Sequence, residues 1–288
     1  MKACIVGLGG IGFKYDEHNP HLYETHFSAL TYYYKNEELY FIDPNPHPEL
    51  PRANTFASIL NVPKKLILET TLFVISTPTD THLQIIQDIV LKGPNSNAIF
   101  VIEKPMGRTL KEAIIINKLL YGHEVFVNYI RRSSALAEVL EQKNATKNLT
   151  EFKCFFDGDW HNIASHFIDF YLCLIKQQKK TDAYFENGQL KIIGQKSTAS
   201  FEKAKFSDSL SPYKFEIISK HKWIGINGGD TLWRMTDDLD EKVIVCKNGM
   251  DQYQKRFYDF LFCEKKKSRL ATMQDAINVH EMLEKIND

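Results

Sequence analysis

Residues 2–12 read KACIVGLGGIG. An apolar run from Ala3 to Val6 stops at Gly7, and glycines recur at 9, 10 and 12. A short run of Cys, Ile and Val bounded by glycine reads as a buried strand. G-x-G-x-x-G directly after a strand reads as a diphosphate cradle. Gly7 makes the tight turn, and Gly9 lets the backbone approach an anion. Gly12 lets the following helix pack close to the strand, with its free N–H groups at the anion. Gly10 and Ile11 complete the turn.

This motif also asks for an acidic residue ending the second strand, about 20 residues on. LYFID at 39–43 supplies Asp43, 31 positions after Gly12 (43 minus 12). The excess fits an insertion, FKYDEHNPHLYET at 13–25, before a helix starting at His26. Asp43 is expected to accept hydrogen bonds from adenosine ribose hydroxyls and to repel a 2′-phosphate, which favours NAD over NADP. The plainer alternative is a turn aspartate before Pro44.

The first half of the chain keeps alternating. Apolar runs at 3–6, 39–42, 72–76, 99–102 and 124–128 are expected strands, with helices near 25–34, 56–60, 81–92 and 110–120. Continuous Val, Ile and Phe runs are the mark of strands buried on both faces of a parallel sheet. After residue 131 the pattern changes. Helices are expected at 134–142 and from Trp160 to Ile175. Strands are expected at 151–156, 183–186, 190–195, 213–219, 223–226, 230–235 and 242–246. Asn-Gly at 187–188 and Asn-Gly-Gly-Asp at 227–230 suit hairpin turns. Two helices, near 251–263 and 273–286, close the chain. The expected fold is α/β. An N-terminal Rossmann doubly wound parallel sheet (1–130) precedes a C-terminal α+β domain with a mostly antiparallel open sheet (131–288), and the last helix can pack back on the first domain.

Bulk composition narrows the function. Lys plus Arg and Asp plus Glu both number 36, so formal charge is zero, which argues against nucleic acid or a membrane surface as the main partner. No apolar run approaches the ~20 residues of a membrane helix, and MKACIVGLGG lacks the pattern of a signal peptide. The five cysteines are scattered and read as reduced residues of a cytoplasmic protein. His161, His166, Cys154 and Cys173 match no zinc spacing, so no metal is expected.

Two further segments end strands in polar residues. VISTPTDTH at 74–82 places Ser76, Thr77, Pro78, Thr79 and His82 at an expected crevice edge, where ligands bind open α/β sheets. Thr79 or Asp80 can equally cap the next helix. FVIEKP at 100–105 ends a buried strand in Glu103 and Lys104, with Pro105 fixing the exit. The bland alternative for Lys104 is a solvated lysine beside a glutamate.

GLGGIG, STPTDTH, EKP, NYIRR at 128–132 and Asn162-x-x-x-His166-x-x-Asp169 occur in that order. The ordered set resembles the Gfo/Idh/MocA family of NAD(P)-dependent sugar oxidoreductases over essentially the whole chain. IGFKYD followed by THFSAL looks like a branch associated with bacterial surface-sugar pathways. The resemblance implies a helix opening the second domain that faces the nicotinamide, with the pattern D-x-G-x-H-x-x-D. Here Asn162 replaces the first Asp and Ala164 replaces Gly. On this reading Lys104 and His166 manage a proton, and Asn162 hydrogen-bonds a sugar hydroxyl. Asp169 orients structure. Tyr129, Arg131, Arg132 and Tyr15 join the substrate set, and His18 or Trp160 can reach the ligand. The expected cofactor set is Gly7, Gly9, Gly10, Ile11, Gly12, Asp43, Ser76, Thr77, Pro78, Thr79, His82 and Glu103.

The leading expectation is an NAD-dependent dehydrogenase of a nucleotide-linked or acidic sugar. It is homodimeric through the second sheet, because strand positions such as Phe215, Ile217, Ile224, Leu232 and Val243 would otherwise be wet. The rivals are a redox-neutral NAD-using sugar enzyme, of epimerase or glycosidase type, and a non-catalytic NAD-binding sensor or partner subunit.

Overall fold

The computed structural model describes residues 2–45, 47–142, 144, 147–175, 181–206, 213–219, 222–228, 232–237, 243–246 and 252–286, with backbone only between 222 and 246. The chain forms two compact units: Met1–Asn128 with Gln252–Ile277, and Tyr129–Asp251 with Asn278–Asp288.

The first unit carries strands β1 (Lys2–Val6), β2 (Leu39–Ile42), β3 (Thr55–Phe56), β4 (Thr70–Ile75), β5 (Ile99–Ile102) and β6 (Glu124–Val127). Its helices are α1 (His26–Leu30), α2 (Lys64–Glu69), α3 (His82–Leu91) and α4 (Leu110–Leu119). Six strands run parallel in the order 6-5-4-1-2-3. The β1, β4 and β5 side chains are buried on both faces, which is why these runs do not alternate. Side chains hold the helix starts: Thr25 Oγ1 accepts from Ser28 N (3.1 Å) and Thr109 Oγ1 from Glu112 N (3.2 Å).

The helix expected at 56–60 shrinks to a single 3-10 turn, Ile59–Asn61. Thr55–Phe56 extends the sheet beside β2, and the helix starts after Pro63, as α2. Proline at that position needs no N–H and favours a helix start just beyond it.

The second unit opens with α5 (Ala135–Gln142), β7 (Glu151–Phe156) and α6 (Ser165–Leu174). Strands β8 (Asp182–Glu186), β9 (Gln189–Ile193), β10 (Thr198–Lys203), β11 (Tyr213–Ile218), β12 (Lys222–Gly228), β13 (Leu232–Asp237) and β14 (Val243–Cys246) follow. The sheet order is 14-13-12-11-7-10-9-8, antiparallel except for the β7–β10 pair. Burial alternates along β7: Phe152, Cys154 and Phe156 point in, while Glu151, Lys153 and Phe155 do not. Asn187 (φ 52°) and Gly188 (φ 77°) make the left-handed β8–β9 turn. The 229–231 turn and the side chains of Ile224, Leu232 and Val243 lie outside the described residues.

Phe215 and Ile217 are fully buried, and the Phe215 ring lies 6.2 Å from Phe167 and 6.3 Å from Phe170 of α6. These two positions are therefore covered within the chain and supply no wet apolar face. The opposite face carries a groove lined by Lys153, Phe155, Lys191 and Glu202, among others.

The chain then returns to the first unit through α7 (Tyr253–Leu261), α8 (Glu264–Lys267) and β15 (Ala271–Thr272), and ends in α9 (Met273–Glu284). β15 adds an antiparallel edge beside β6. Phe257, Tyr258, Phe260 and Leu261 of α7 join the core formed by Ala3, Ile5, Leu30, Phe41 and Val74. The described cysteines Cys4, Cys154, Cys173 and Cys263 are free thiols. Among the described residues no helix is long and apolar enough to cross a membrane.

Candidate active site

In the first sheet the strand order reverses between β1 and β4, whose carboxyl ends lie side by side. In an open α/β sheet this switch point is where ligands bind. Gly7, with φ +92°, turns the chain there, and a Cβ on it would lie 2.6 Å from Thr77 Cγ2. Gly12 packs so tightly that a Cβ would sit 2.1 Å from Gly7 O. Gly9 is different: a Cβ there would meet nothing within 4 Å. Two glycines are thus demanded by the protein's own packing, and the middle one leaves open space beside backbone. That is the shape a diphosphate needs.

The neighbouring residues stiffen this turn. Asp43 accepts from Leu8 N (2.7 Å) and from Asn45 N (2.8 Å), joining the end of β2 to the glycines. Each carboxylate oxygen retains acceptor capacity for a hydroxyl. Ser76 Oγ donates to Gly7 O (2.8 Å), and Thr81 Oγ1 bonds Thr77 Oγ1 (2.8 Å). Buried His82 lies between Thr77 O (2.9 Å) and Met106 O (3.2 Å), and burial lowers its pKa. His82 is thus a brace between two loops. Pro78 is exposed, Thr79 and Ile11 half-buried.

The segment after the glycines is shorter than the helix expected there. Gly10–Lys14 is one wide turn, closed by Tyr15 N donating to Gly10 O (3.1 Å). So short a helix contributes little macrodipole, and the anion-binding capacity rests on the backbone cradle. Tyr15 is 65% exposed, and its ring lies against Gly10, where a Cβ would come within 2.5 Å of it. His18 is exposed. Sequence reading missed Asp16, which organises the insertion. Its buried carboxylate accepts from Glu24 N (2.7 Å), Thr25 N (3.3 Å), Thr25 Oγ1 (2.7 Å) and Ser28 Oγ.

Glu103 and half-buried Lys104 directly follow β5, and the Lys104–Pro105 bond is cis. The Glu103 side chain turns into the core. Its Oε1 accepts from His26 Nε2 (2.8 Å) and from Asn128 Nδ2, while His26 Nδ1 meets Tyr258 Oη (2.7 Å). Asn128 Nδ2 also donates to Gln254 Oε1 (3.1 Å). Burial pushes the Glu103 carboxyl up, but the His26 hydrogen bond and charge, followed by the Asn128 hydrogen bond and the Lys104 charge, hold it below its ordinary value. Glu103 is therefore an ionised core carboxylate.

In the second unit Asp159 Oδ1 accepts from His161 N (2.8 Å) and Asn162 N (2.9 Å) and starts a wide turn, Trp160–Ala164. The turn runs into α6, so the helix expected from Trp160 is regular only from Ser165. Asn162 is exposed, while His166 is 9% exposed with its ring edge-on to Tyr129, centroids 6.1 Å apart. Trp160 is buried edge-on against Phe156 (4.8 Å) and Phe185 (5.7 Å), so its ring serves the core.

Both arginines of NYIRR, expected in the substrate set, are buried. Arg132, 2% exposed, grips fully buried Asp169 in a bidentate pair: Nε to Oδ2 at 2.8 Å and Nη2 to Oδ1 at 2.5 Å. Arg131 is buried over the rings of Phe167 (4.2 Å) and Tyr213 (4.8 Å). Arg132's fork is satisfied within the protein, and Arg131 is held by stacking. Both act as scaffold for α6, and the double Arg gave no signal of this because Asp169 lies 37 residues away.

No family model matches the sequence, and no curated protein matches it. Solved structures do match over the whole chain. A dehydrogenase (MviM) from Clostridium difficile is similar at 15% identity with a TM-score of 0.69, covering 100% of this chain and 98% of that one. Levoglucosan dehydrogenase in complex with NADH is similar at 14% identity, TM-score 0.67, covering 100% and 97%. A super-repressor mutant of Gal80p from Saccharomyces cerevisiae is similar at 12% identity, TM-score 0.70, covering 100% and 95%. At these identities the likeness establishes a shared fold.

Proposed function

We propose that this chain is an NAD-dependent oxidoreductase of the Gfo/Idh/MocA family, moving hydride between nicotinamide and a hydroxyl-bearing carbon of a sugar. The observation that carries this is the glycine turn. Gly7 and Gly12 are closed by packing, Gly9 is open, and Asp43 ends the adjacent strand. These residues fit a dinucleotide, and levoglucosan dehydrogenase, of the same fold, is described with NADH. A carboxylate at 43 favours a free ribose 2′-hydroxyl, hence NAD. Ser76 and His82 act by holding the turn.

When bound, the nicotinamide supplies hydride transfer. The chain's own residues must then handle the hydroxyl proton. His166 is proposed as the acid–base group, since an imidazole titrates near neutrality. Lys104, beside ionised Glu103, serves as a cation that stabilises a developing alkoxide. Asn162 offers a donor and an acceptor to a sugar hydroxyl. Tyr129 orients the His166 ring. A nucleotide-linked or acidic sugar of a surface-polysaccharide pathway is the proposed substrate class, with residues 1–130 and 131–288 as cofactor and substrate domains. A homodimer through the second sheet would use its groove-bearing face, since Phe215 and Ile217 are covered.

A second reading, a non-catalytic NAD-binding regulator, draws on Asn162, which cannot exchange protons, and on the fold shared with a protein described as a super-repressor. One experiment separates the two. NADH formation is followed over a panel of sugars and nucleotide sugars, alongside NADH affinity. The enzymatic reading expects turnover that His166→Ala and Lys104→Met abolish while affinity persists. Affinity without turnover on any sugar supports the regulator.

A further inference from the structure

The loop after β2 holds a histidine that the scheme above does not use. Residues 43–50 read DPNPHPEL, and His47 stands four positions beyond Asp43. Backbone and side-chain bonds tie this loop down. Asp43 N donates to Phe56 O (3.0 Å), Asn45 N donates to Asp43 Oδ1 (2.8 Å), and Leu50 N donates to His47 O (3.0 Å), while the Leu50 side chain joins the core. The His47 ring packs edge-on against Phe13, in the wide turn that follows the glycines, with centroids 5.5 Å apart. Its side chain is 7% exposed, so the imidazole is built into this corner and not left in solvent.

The two ring nitrogens differ. Nδ1 lies 3.2 Å from Glu49 Oε1, and a carboxylate accepts, so Nδ1 carries the hydrogen. In the neutral ring Nε2 is then an acceptor. Among the described residues Nε2 makes no hydrogen bond; it faces Asp43 Oδ1 at 3.9 Å, which is a second acceptor. Two acceptors held side by side are unfavourable alone and suit a ligand that brings a donor to each. A ribose diol does this, with one hydroxyl hydrogen for each acceptor. A 2′-phosphate replaces one of those hydroxyls with acceptor oxygens and negative charge.

We propose that His47 is a second specificity-determining residue of the dinucleotide site: its Nε2 accepts from the adenosine ribose 2′-hydroxyl beside Asp43, and Glu49 holds the tautomer that leaves Nε2 able to accept. The proposal rests on the reading of the glycine turn and Asp43 as the dinucleotide site. Packing alone does not account for the residue type, because a phenyl ring would meet Phe13 equally well. What a phenyl ring lacks is an acceptor next to the Asp43 carboxylate.

The test compares ligands that differ at one ribose position and needs no turnover. Binding of ADP-ribose, its 2′-deoxy form and its 2′-phosphate to the intact protein is measured by calorimetry, with urea unfolding as the control for folding. His47→Phe keeps a ring against Phe13 and removes both nitrogens. One hydrogen bond is worth roughly 2- to 12-fold in Kd. ADP-ribose is expected to bind His47→Phe more weakly by that factor, while the 2′-deoxy and 2′-phosphate forms change by less than about twofold. His47→Gln offers an amide oxygen in place of Nε2 and is expected to recover part of the loss. Equal weakening of all three ligands, or no change in any, overturns the proposal. Nitrogen NMR of the His47 ring gives a reading without any variant: Nε2 is expected unprotonated at about pH 8 and shifted by ADP-ribose, and an Nε2 that ADP-ribose leaves unmoved overturns the proposal as well. Failure of the underlying reading is a different result: the parent protein then binds none of the three.

Discussion

Adding one methyl group at Gly9 should separate folding from cofactor binding. Gly9 has φ −72° and ψ −154°, an extended conformation open to any residue, and its added Cβ would meet nothing within 4 Å. Gly9→Ala should therefore change stability by no more than about 0.5 kcal/mol, with a small gain from a less flexible unfolded chain. The same methyl fills the space a diphosphate needs against the backbone. Overpacking by one methyl costs about 1.4–2.8 kcal/mol, a 10- to 100-fold weaker Kd. Gly12→Ala is the contrasting case. Its Cβ would lie 2.1 Å from Gly7 O, against roughly 3.3 Å for an ordinary C···O contact. The added Cβ is fixed by its own backbone and Gly7 O is backbone, so no side-chain rotation relieves the clash, and a stability loss of about 3 kcal/mol or more is expected. Urea unfolding and NADH fluorescence titration measure the two quantities. A folded Gly9→Ala protein that binds NADH as tightly as the parent would refute the assignment of this turn to the diphosphate.

Other perturbations probe the scaffold. Arg132→Ala strands the Asp169 carboxylate in the core and should cost about 3–5 kcal/mol in urea unfolding; replacing both partners by apolar residues should recover most of it. Glu103 and His82 both have folded pKa values below their ordinary 4.5 and 6.5. The unfolded chain thus binds protons first, and stability present above those values should fall as pH drops, first below about 6.5 and then below about 4.5. In thermal melts against pH, His82→Asn should flatten the upper step and Glu103→Gln the lower; unchanged profiles would contradict the assignment. Asp16→Ala removes the acceptor for four donors, and limited proteolysis should cut faster between 17 and 24.

Much of the fold was legible because local pattern carries it. Continuous apolar runs gave the parallel strands, alternation gave β7 and β9, and Asn187-Gly188 gave a hairpin. The losses have physical causes. β10 is a polar TASFEK segment, read as strand only through its neighbours β7 and β9. α8 and β15 are too short to show a period. The segment before Pro63 carries apolar residues at helical spacing, but β2 offers Thr55–Phe56 a ladder. The site divides the same way. The glycine turn and Asp43 are close enough in sequence to form one motif. His26, Tyr258 and Gln254 went unseen because their partners are distant: His26 and Tyr258 are 232 residues apart. Arg131 and Arg132 were read toward substrate because a guanidinium pair suits an anionic ligand; only tertiary packing supplies Asp169, Phe167 and Tyr213.

The wide turn Trp160–Ala164 has a consequence for change over time. Such a turn holds one residue more than the α-helical equivalent, so a single codon gained or lost can create or erase it. Its removal would swing the side chains ahead of Ser165 by about 100° around the axis. His166 and the Arg132–Asp169 clamp would stay where they are. The side chain that position 162 presents just ahead of the helix is therefore adjustable in one genetic step, at little risk to the helix itself.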